Sequence, residues 1–416
     1  MQRQPVVLAV LVLLPIALAP ATMGAEKQTR LPDEGIRRIL VSTVTKDSAT
    51  INWLTAKEEA DEVCAWTQDE KVLTATDAEA ATVHSLTLTG LKPDSVYHFF
   101  VRGEGGRSRL HAFQTLEPLP GKPDFVMGVV ADPQFDGETS RGGRNFARVV
   151  EDLNRRQVDF VVFPGDLVDN RNKAGAIEGF TDDVHGYTKA FQALKNIAAG
   201  LTMPYYVASG NHERLHTPGT RDAYCRMFGL EKAYYSVDLA GRHFVILDCM
   251  AEAGWKPDKA QVAWLVADLE ANRDKDVFVI VHYAIANDRY VFDKGRGVMP
   301  EIQKLLEEHG RVRAVYNGHK NVISATVQQG ILYVSCPQPS STPGGYLVVR
   351  VYRDGLIQTF HGTPGVSPQF RAPKAPATGE ARPEKLRWDG GYRWGCQAAR
   401  NFTWRYGDPV TSTGIK

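Results

Sequence analysis

Five short polar clusters hold most of the residue types that bind metal ions or move protons: Asp132-Pro133-Gln134, Gly165-Asp166-Leu167-Val168-Asp169, Gly210-Asn211-His212-Glu213, His282-Tyr283 and Gly318-His319-Lys320-Asn321. Carboxylates, imidazoles and amide oxygens in one place ligate divalent cations, and an imidazole beside a carboxylate serves as a general acid or base. A loop Asp or His taken alone is usually surface polarity or a helix cap. Here each cluster follows an apolar run: Phe125 to Ala131, Val158 to Phe163, Tyr205 to Ala208, Val277 to Val281 and Val312 to Tyr316. Runs that continuous read as strands buried on both faces. In open α/β sheets the carboxyl ends of such strands form the ligand crevice. Five clusters in register on five strand ends therefore argue for one site.

The elements that must hold these ends alternate between strand and helix. Phe146, Val149, Val150 and Leu153 mark one helix face, and Val262, Leu265, Val266 and Leu269 mark another, opened by an Asp258 to Gln261 capping box after Pro257. A further buried strand is read at Phe244 to Leu247, and Ile331 to Ser335, Tyr346 to Tyr352 and Leu356 to Phe360 read as closing antiparallel strands. Ahead of them, Ile39 to Thr43, Ala49 to Thr55, Glu62 to Thr67, Val83 to Leu88, Val96 to Arg102 and His111 to Thr115 are short alternating strands, the pattern of a β-sandwich. A proline-rich linker, Glu117 to Lys122, separates the two patterns. The boundaries are thus a sandwich at 34–117, a catalytic domain at 123–362, and a Pro/Gly-rich tether with an aromatic end at 363–416. The aromatic end, with Trp388, Tyr392, Trp394, Phe402, Trp404 and Tyr406, is expected to pack back onto the catalytic domain; a lid facing the substrate is the alternative.

A chain of 416 residues with 43% hydrophobic content fits two domains with ordinary cores. Its 49 basic and 48 acidic residues leave a net charge of +1, which supplies no footprint for nucleic acid or an anionic membrane. Arg3, the apolar run from Val6 to Ala19 and the small residues up to Ala25 have the layout of a cleaved secretory leader over residues 1–25. The run contains Pro15 and is shorter than the roughly 20 residues of a spanning helix. The mature protein is therefore expected to be exported and soluble. Five cysteines, Cys64, Cys225, Cys249, Cys336 and Cys396, form no metal-ribbon spacing and imply no particular disulfide.

In order and spacing the five clusters resemble the calcineurin-like metallophosphoesterase superfamily over about Asp124 to His361, with added agreement from Tyr234-Tyr235-Ser236, Asp248 and Trp264-Leu265. The sandwich, with Trp53 on an early strand and Leu91, Pro93 and Tyr97 at a turn, resembles the fibronectin type III-like domain that precedes the catalytic domain in purple acid phosphatases. The resemblance implies an α/β architecture, a four-layer sheet sandwich flanked by helices, and hydrolysis of a small phosphomonoester or phosphodiester with two divalent ions (Mn, Mg, Zn or Fe). Asp166 would bridge the two ions. Asn211, His282 and His319 would complete the second site, and Asp132, Gln134 and Asn321 the first. A hydroxide between the ions would attack phosphorus, His212 would protonate the leaving oxygen, and Asp169 would orient His212 for that transfer.

Two positions depart from the family pattern. Gln134 and Asn321 stand where histidines are usual, and both belong to the first site. That site then offers carboxylate and amide oxygens only, which predicts weak or exchangeable occupancy by a hard ion. Leu167-Val168-Asp169 lacks the tyrosine of an iron-phenolate centre, so a purple ferric site is not expected. Arg141, Arg144, Arg214 and Lys320 could meet a phosphate, whereas His185, His216 and His243 stay outside the ligand set. The competing reading, motivated by Gln134 and Asn321, is a degenerate, non-catalytic surface protein on the same scaffold. A nucleic-acid binder lacks the basic stripe it would need. The oligomeric state, the natural substrate and the choice between monoester and diester are not legible at this level.

Overall fold

The structure is a computed structural model. The residues it describes are 36–67, 72–77, 79–104, 106–108, 110–135, 137–169, 184–213, 215, 218–250, 257–286, 299–340, 344–365 and 400–408. The leader expected over 1–25, the Pro/Ala/Gly-rich stretch after residue 365, and Cys396 lie outside them. Cys64, Cys225, Cys249 and Cys336 are buried free thiols.

The amino-terminal strands are β1 (Arg37–Val44), β2 (Ser48–Glu59), β3 (Glu62–Trp66), β4 (Leu73–Thr76), β5 (Ala81–Thr89), β6 (Val96–Gly103), β7 (Gly106–Arg107) and β8 (His111–Gln114). They form two antiparallel sheets, β1-β2-β5 and β4-β3-β6-β7 with β8 on β6. Alternation decides which side chains enter the core, because successive residues of a strand face opposite ways. Ala49, Ile51 and Trp53 of one sheet thus meet Val63, Ala65, Tyr97, Phe99 and Val101 of the other. The Tyr97 hydroxyl accepts the Lys92 backbone N–H at 2.9 Å and ties down the turn before β6.

The rest of the described chain runs β9 (Phe125–Val129), α1 (Arg141–Arg155), β10 (Phe160–Phe163), α2 (Val184–Ala198), β11 (Tyr205–Val207), α3 (Pro218–Phe228), β12 (Tyr235–Leu239), β13 (Arg242–Ile246), α4 (Lys259–Ala271), β14 (Val277–Val281), α5 (Pro300–His309), β15 (Val312–Asn317), β16 (Ser324–Gln328), β17 (Ile331–Ser335), β18 (Gly345–Tyr352), β19 (Gly355–Gly362) and β20 (Phe402–Arg405). Two six-stranded sheets result, β11-β10-β9-β18-β19-β20 and β12-β13-β14-β15-β17-β16. Phe125, Phe160, Phe244 and Phe278 pack between them, with ring centroids in contact at 5.2–6.0 Å. The alternate residues Val161, Phe163, Val277, Val279 and Val281 pack with Val149, Leu153 and Leu265 of the helices. The layers are therefore helices, sheet, sheet and helices, as expected. Runs such as Val277–Val281 are apolar throughout because both faces are covered.

Some elements differ from the sequence reading. On α4 the buried residues are Gln261, Leu265 and Leu269, while Val266 is 47% exposed. Residue 266 lies about 100° round the helix from Leu265, off the stripe that faces the sheet. Asp258 does cap the helix, accepting the Gln261 N–H at 2.7 Å, but the Gln261 side chain does not complete the capping box. It bonds the backbone of Asp248 instead, at 2.9 and 2.8 Å. The aromatic end supplies β20, which pairs with β19. Just before it, Asn401 accepts the Phe360 N–H at 2.9 Å and donates to the Ser42 carbonyl at 2.8 Å, joining β19 to the sandwich strand β1.

Candidate metal centre

Each six-stranded sheet contains a run of parallel strands, β11-β10-β9 along one side of the first and β13-β14-β15 within the second. Their carboxyl ends therefore release the chain on one side. Asp132, Asp166 and Asn211 follow β9, β10 and β11, and His282 and His319 follow β14 and β15. Asp132, Asp166, His212 and His282 are all buried.

The backbone there is strained. Among the described residues nine non-glycine positions have φ in the left-handed region, and five are Asp132 (φ 51°), Gln134 (42°), Asp166 (52°), His319 (69°) and Asn321 (54°). The remaining four, Asp94, Gln157, Ala240 and Gln329, sit in turns between elements. Each strained residue costs about 1–3 kcal/mol and persists only where its surroundings over-determine it. The surroundings are visible. Glu213, fully buried, accepts the N–H groups of Asp166 (2.9 Å), Leu167 (2.7 Å), Val168 (3.2 Å) and Gly210 (2.5 Å), so one carboxylate clamps the loops after β10 and β11 together. Burial and the neighbouring Asp166 carboxylate push Glu213 up to about 8. Gly165 turns at φ 81°, and a Cβ on Gly210 would collide with the Asp166 carboxylate.

Four donors meet closely. Asn211 Oδ1 lies 3.0 Å from His282 Nε2 and 2.8 Å from His319 Nδ1, and His282 Nε2 lies 3.3 Å from Asp166 Oδ1. The donor atoms of Asp166, His282 and His319 fall within 4.8 Å of one another. His282 Nδ1 donates to the Pro164 carbonyl at 2.9 Å, which fixes the ring and aims Nε2 at the cluster. Burial disfavours the imidazolium of His282, yet the Asp166 carboxylate overrides it and raises this group to about 9. Asp166 itself stays well below the ordinary carboxylate range, His282 outweighing its burial. A proton here neutralises a buried carboxylate, and a divalent cation at the same donors would replace it. This half of the centre fits a metal ion.

The other half is built differently. Asp132 accepts the His319 N–H at both oxygens, at 3.1 and 3.0 Å, and burial raises its carboxyl well above the usual range. Gln134 was expected to offer its amide oxygen. It turns its nitrogen inward instead: Nε2 donates to Asp166 Oδ2 at 2.8 Å and Asp132 Oδ1 at 3.4 Å, while Oε1 accepts from Gln338 Nε2 at 2.8 Å. Two carboxylates in a low-dielectric setting recruit the donor end of the amide. Asn321 Oδ1 is buried with no hydrogen-bond partner among the described residues, the state of an oxygen that a cation would satisfy.

His212 stands beside both halves. Its backbone N–H donates to Asp166 Oδ1 at 2.8 Å, Nδ1 lies 3.1 Å from Asp169 Oδ1, and Nε2 lies 3.6 Å from Asp166 Oδ2. The ring is thus held from one side and presents Nε2 to the donors.

Three supporting residues carried no role in the sequence reading. Glu213 and Asp248 are visible as acids beside motif residues, but sequence does not display the partners they meet, backbone N–H groups for Glu213 and two side chains for Asp248. Asp248 accepts from Ser209 Oγ at 2.6 Å and pairs with Arg221, steadying the segment before Gly210. Gln338 had no signal at all. Of the basic candidates, Arg141 and Arg144 are exposed, Lys320 is half-buried, and Arg214 lies outside the described residues, as do His216 and the side chain of His185. His243 is at the opposite end of its sheet, between Asp238 and Asp268.

Residues 127–322 match the family model for calcineurin-like phosphoesterase. No curated protein matches the chain. Among solved structures the chain is similar to a dimetal phosphatase from Danio rerio, at 17% identity and TM-score 0.47, over 58% of this chain and 97% of that one. It is also similar to a purple acid phosphatase from yellow lupin (Lupinus luteus) seeds, at 15% identity and TM-score 0.45, over 79% of this chain and 72% of that one.

Proposed function

We propose that this chain, a metal-dependent phosphoesterase whose residues 127–322 belong to the calcineurin-like phosphoesterase family, is exported and hydrolyses small phosphate mono- or diesters with His212 as proton donor. The observation that carries the reading is the convergence of Asp166, Asn211, His282 and His319, from four strand ends, on donor separations of 2.8–3.3 Å. Strain concentrated on five ligand positions supports it too, since a relic scaffold has no use for that cost. The division into a leader (1–25), a sandwich of fibronectin type III type (34–117), a catalytic domain (123–362) and a tail (363–416) belongs to the same proposal. So does export, which rests on Arg3, the Val6 to Ala19 run and the small residues before Ala25. No helix among the described residues is long and apolar enough to cross a membrane.

Asp166, Asn211, His282 and His319 would hold one cation, and Asp132, Asp166, Asn321 and a rotated Gln134 a second. Bound divalent ions supply charge stabilisation at the phosphoryl oxygens and lower the pKa of an attacking water. The chain's own residues do the rest. His282 is fixed through Pro164, Glu213 holds the two loops in register, and Asp169 anchors His212 Nδ1 so that its Nε2 can release a proton to the leaving oxygen. Proton donation matters in proportion to the basicity of the leaving group. His212→Ala should therefore lower kcat by about 10²–10⁴-fold on alkyl phosphates and far less on nitrophenyl phosphate, assayed with added Mn²⁺. An equal loss on both substrates would remove His212 as the acid. Full activity of the native protein after exhaustive chelation would remove the whole mechanism.

A further inference from the structure

Gln134 and Gln338 form a hydrogen-bonded pair at one half of the centre. The Gln134 amide nitrogen sits between Asp166 Oδ2 and Asp132 Oδ1, at 2.8 and 3.4 Å, and donates to both. A cation repels an N–H dipole pointed at it, so these carboxylates can accept one only if the amide turns and brings Oε1 inward. That oxygen is held outward by the Gln338 N–H at 2.8 Å, from a residue 204 positions away in the chain. The histidine-bearing half asks no side chain to turn: an imidazole nitrogen becomes a ligand in place by giving up its proton, as an amide nitrogen cannot, and the donors of Asp166, His282 and His319 already lie within 4.8 Å of one another.

We infer that the centre loads its two cations in a fixed order, the Asp166-Asn211-His282-His319 half first and tightly, the Asp132-Gln134-Asn321 half second and weakly, with the Gln134-Gln338 amide pair as the latch. The inference rests on the metal-dependent reading above. Turning both amides over preserves their mutual hydrogen bond, since each can donate or accept. Gln134 then exchanges its role as donor to the empty half for that of oxygen ligand to the filled one, and Asn321 Oδ1 gains the partner it lacks. The latch costs the second cation the two inward hydrogen bonds of Gln134 and leaves the first cation untouched.

The test is a Mn²⁺ titration of the full-length apoprotein by calorimetry, with electron paramagnetic resonance at each equivalent. The wild type should take up one tight equivalent with an isolated Mn²⁺ signal, then a second at least about 30-fold weaker with a spin-coupled signal. Gln134→His removes the inward amide and restores an imidazole; it should bring the second equivalent close to the first and leave the tight one unchanged. Gln134→Leu should keep the tight equivalent and abolish the weak one. Two equally tight equivalents in the wild type would overturn the ordered loading, as would a Gln134→His variant with the wild-type gap. A folded wild type that binds no Mn²⁺ would instead overturn the metal-dependent function itself, so the two failures are distinguishable.

Discussion

The two ends of the β12-β13-β14-β15-β17-β16 sheet use the same side chains for opposite purposes. At the amino-terminal end, His243 is buried with Nδ1 2.8 Å from Asp238 and Nε2 2.8 Å from Asp268, and Asp276 takes Arg311 and Arg313 at 2.9 and 2.8 Å. None of these residues has a left-handed backbone. At the carboxyl end, the nitrogens of His282 and His319 share an amide oxygen, and His319 and Asn321 are backbone-strained. One end satisfies each imidazole nitrogen with a carboxylate, and the other assembles donors around a shared point. A buried histidine among acids is thus no sign of a site by itself. What separates the ends is strain on the polar residues themselves, since the left-handed Ala240 and Gln329 of the amino-terminal end only turn hairpins, and an amide oxygen left without a partner.

Mutations should break the two ends in different currencies. The largest effect belongs to the carboxyl end: Asp166→Asn removes the carboxylate common to both halves, and turnover of a phosphate ester with added Mn²⁺ should fall by about 10³-fold or more, as expected when several kcal/mol of charge stabilisation are lost. Circular dichroism of that variant should still show a folded chain. Next comes the opposite end. His243→Phe deletes two charge-assisted hydrogen bonds and should lower unfolding free energy by about 2 kcal/mol in urea titrations, while turnover per folded molecule at 25 °C stays near wild type. If His243→Phe instead abolished turnover and spared stability, the division between the ends would fail.

A smaller effect follows from pH. Burial disfavours the His243 imidazolium, but the hydrogen bonds and charges of Asp268 and Asp238 outweigh it and raise the group above its ordinary 6.5. A raised folded value means the stabilisation is fully present below 6.5 and is lost as pH climbs through the folded value. The melting temperature of the wild type should therefore decline on the alkaline side of neutrality by more than that of His243→Phe. Parallel profiles for the two proteins would contradict this. Smallest of all is Val266→Lys on α4, a substitution at an exposed position, which should change stability by no more than about 0.5 kcal/mol. A loss of several kcal/mol would restore Val266 to the buried face that periodicity suggested.

Much of this architecture was legible in the residues. Period-two alternation marked the sandwich, unbroken apolar runs marked the buried strands, and the polar residues after those runs marked where chemistry would gather. β12 lies outside that reading because its residues are only half-buried and alternation carries little contrast, whereas α2 and α5 do carry buried stripes, Phe191, Leu194 and Ala198 on one and Ile302, Leu306 and His309 on the other, that periodicity could have found.

Sequence by itself determined which strand ends carry carboxylates, imidazoles and amides, because residue type and spacing along a strand are local properties. Only the tertiary structure decided which end of each polar group faces the centre. Whether Gln134 shows a donor or an acceptor depends on Asp166 and on Gln338, 32 and 204 positions away. Glu213 became a clamp because folding brought four N–H groups to it, and Gln261 left its capping role for a backbone it meets only across the fold. A hydrogen bond is a property of two partners, and one chain position names only one of them.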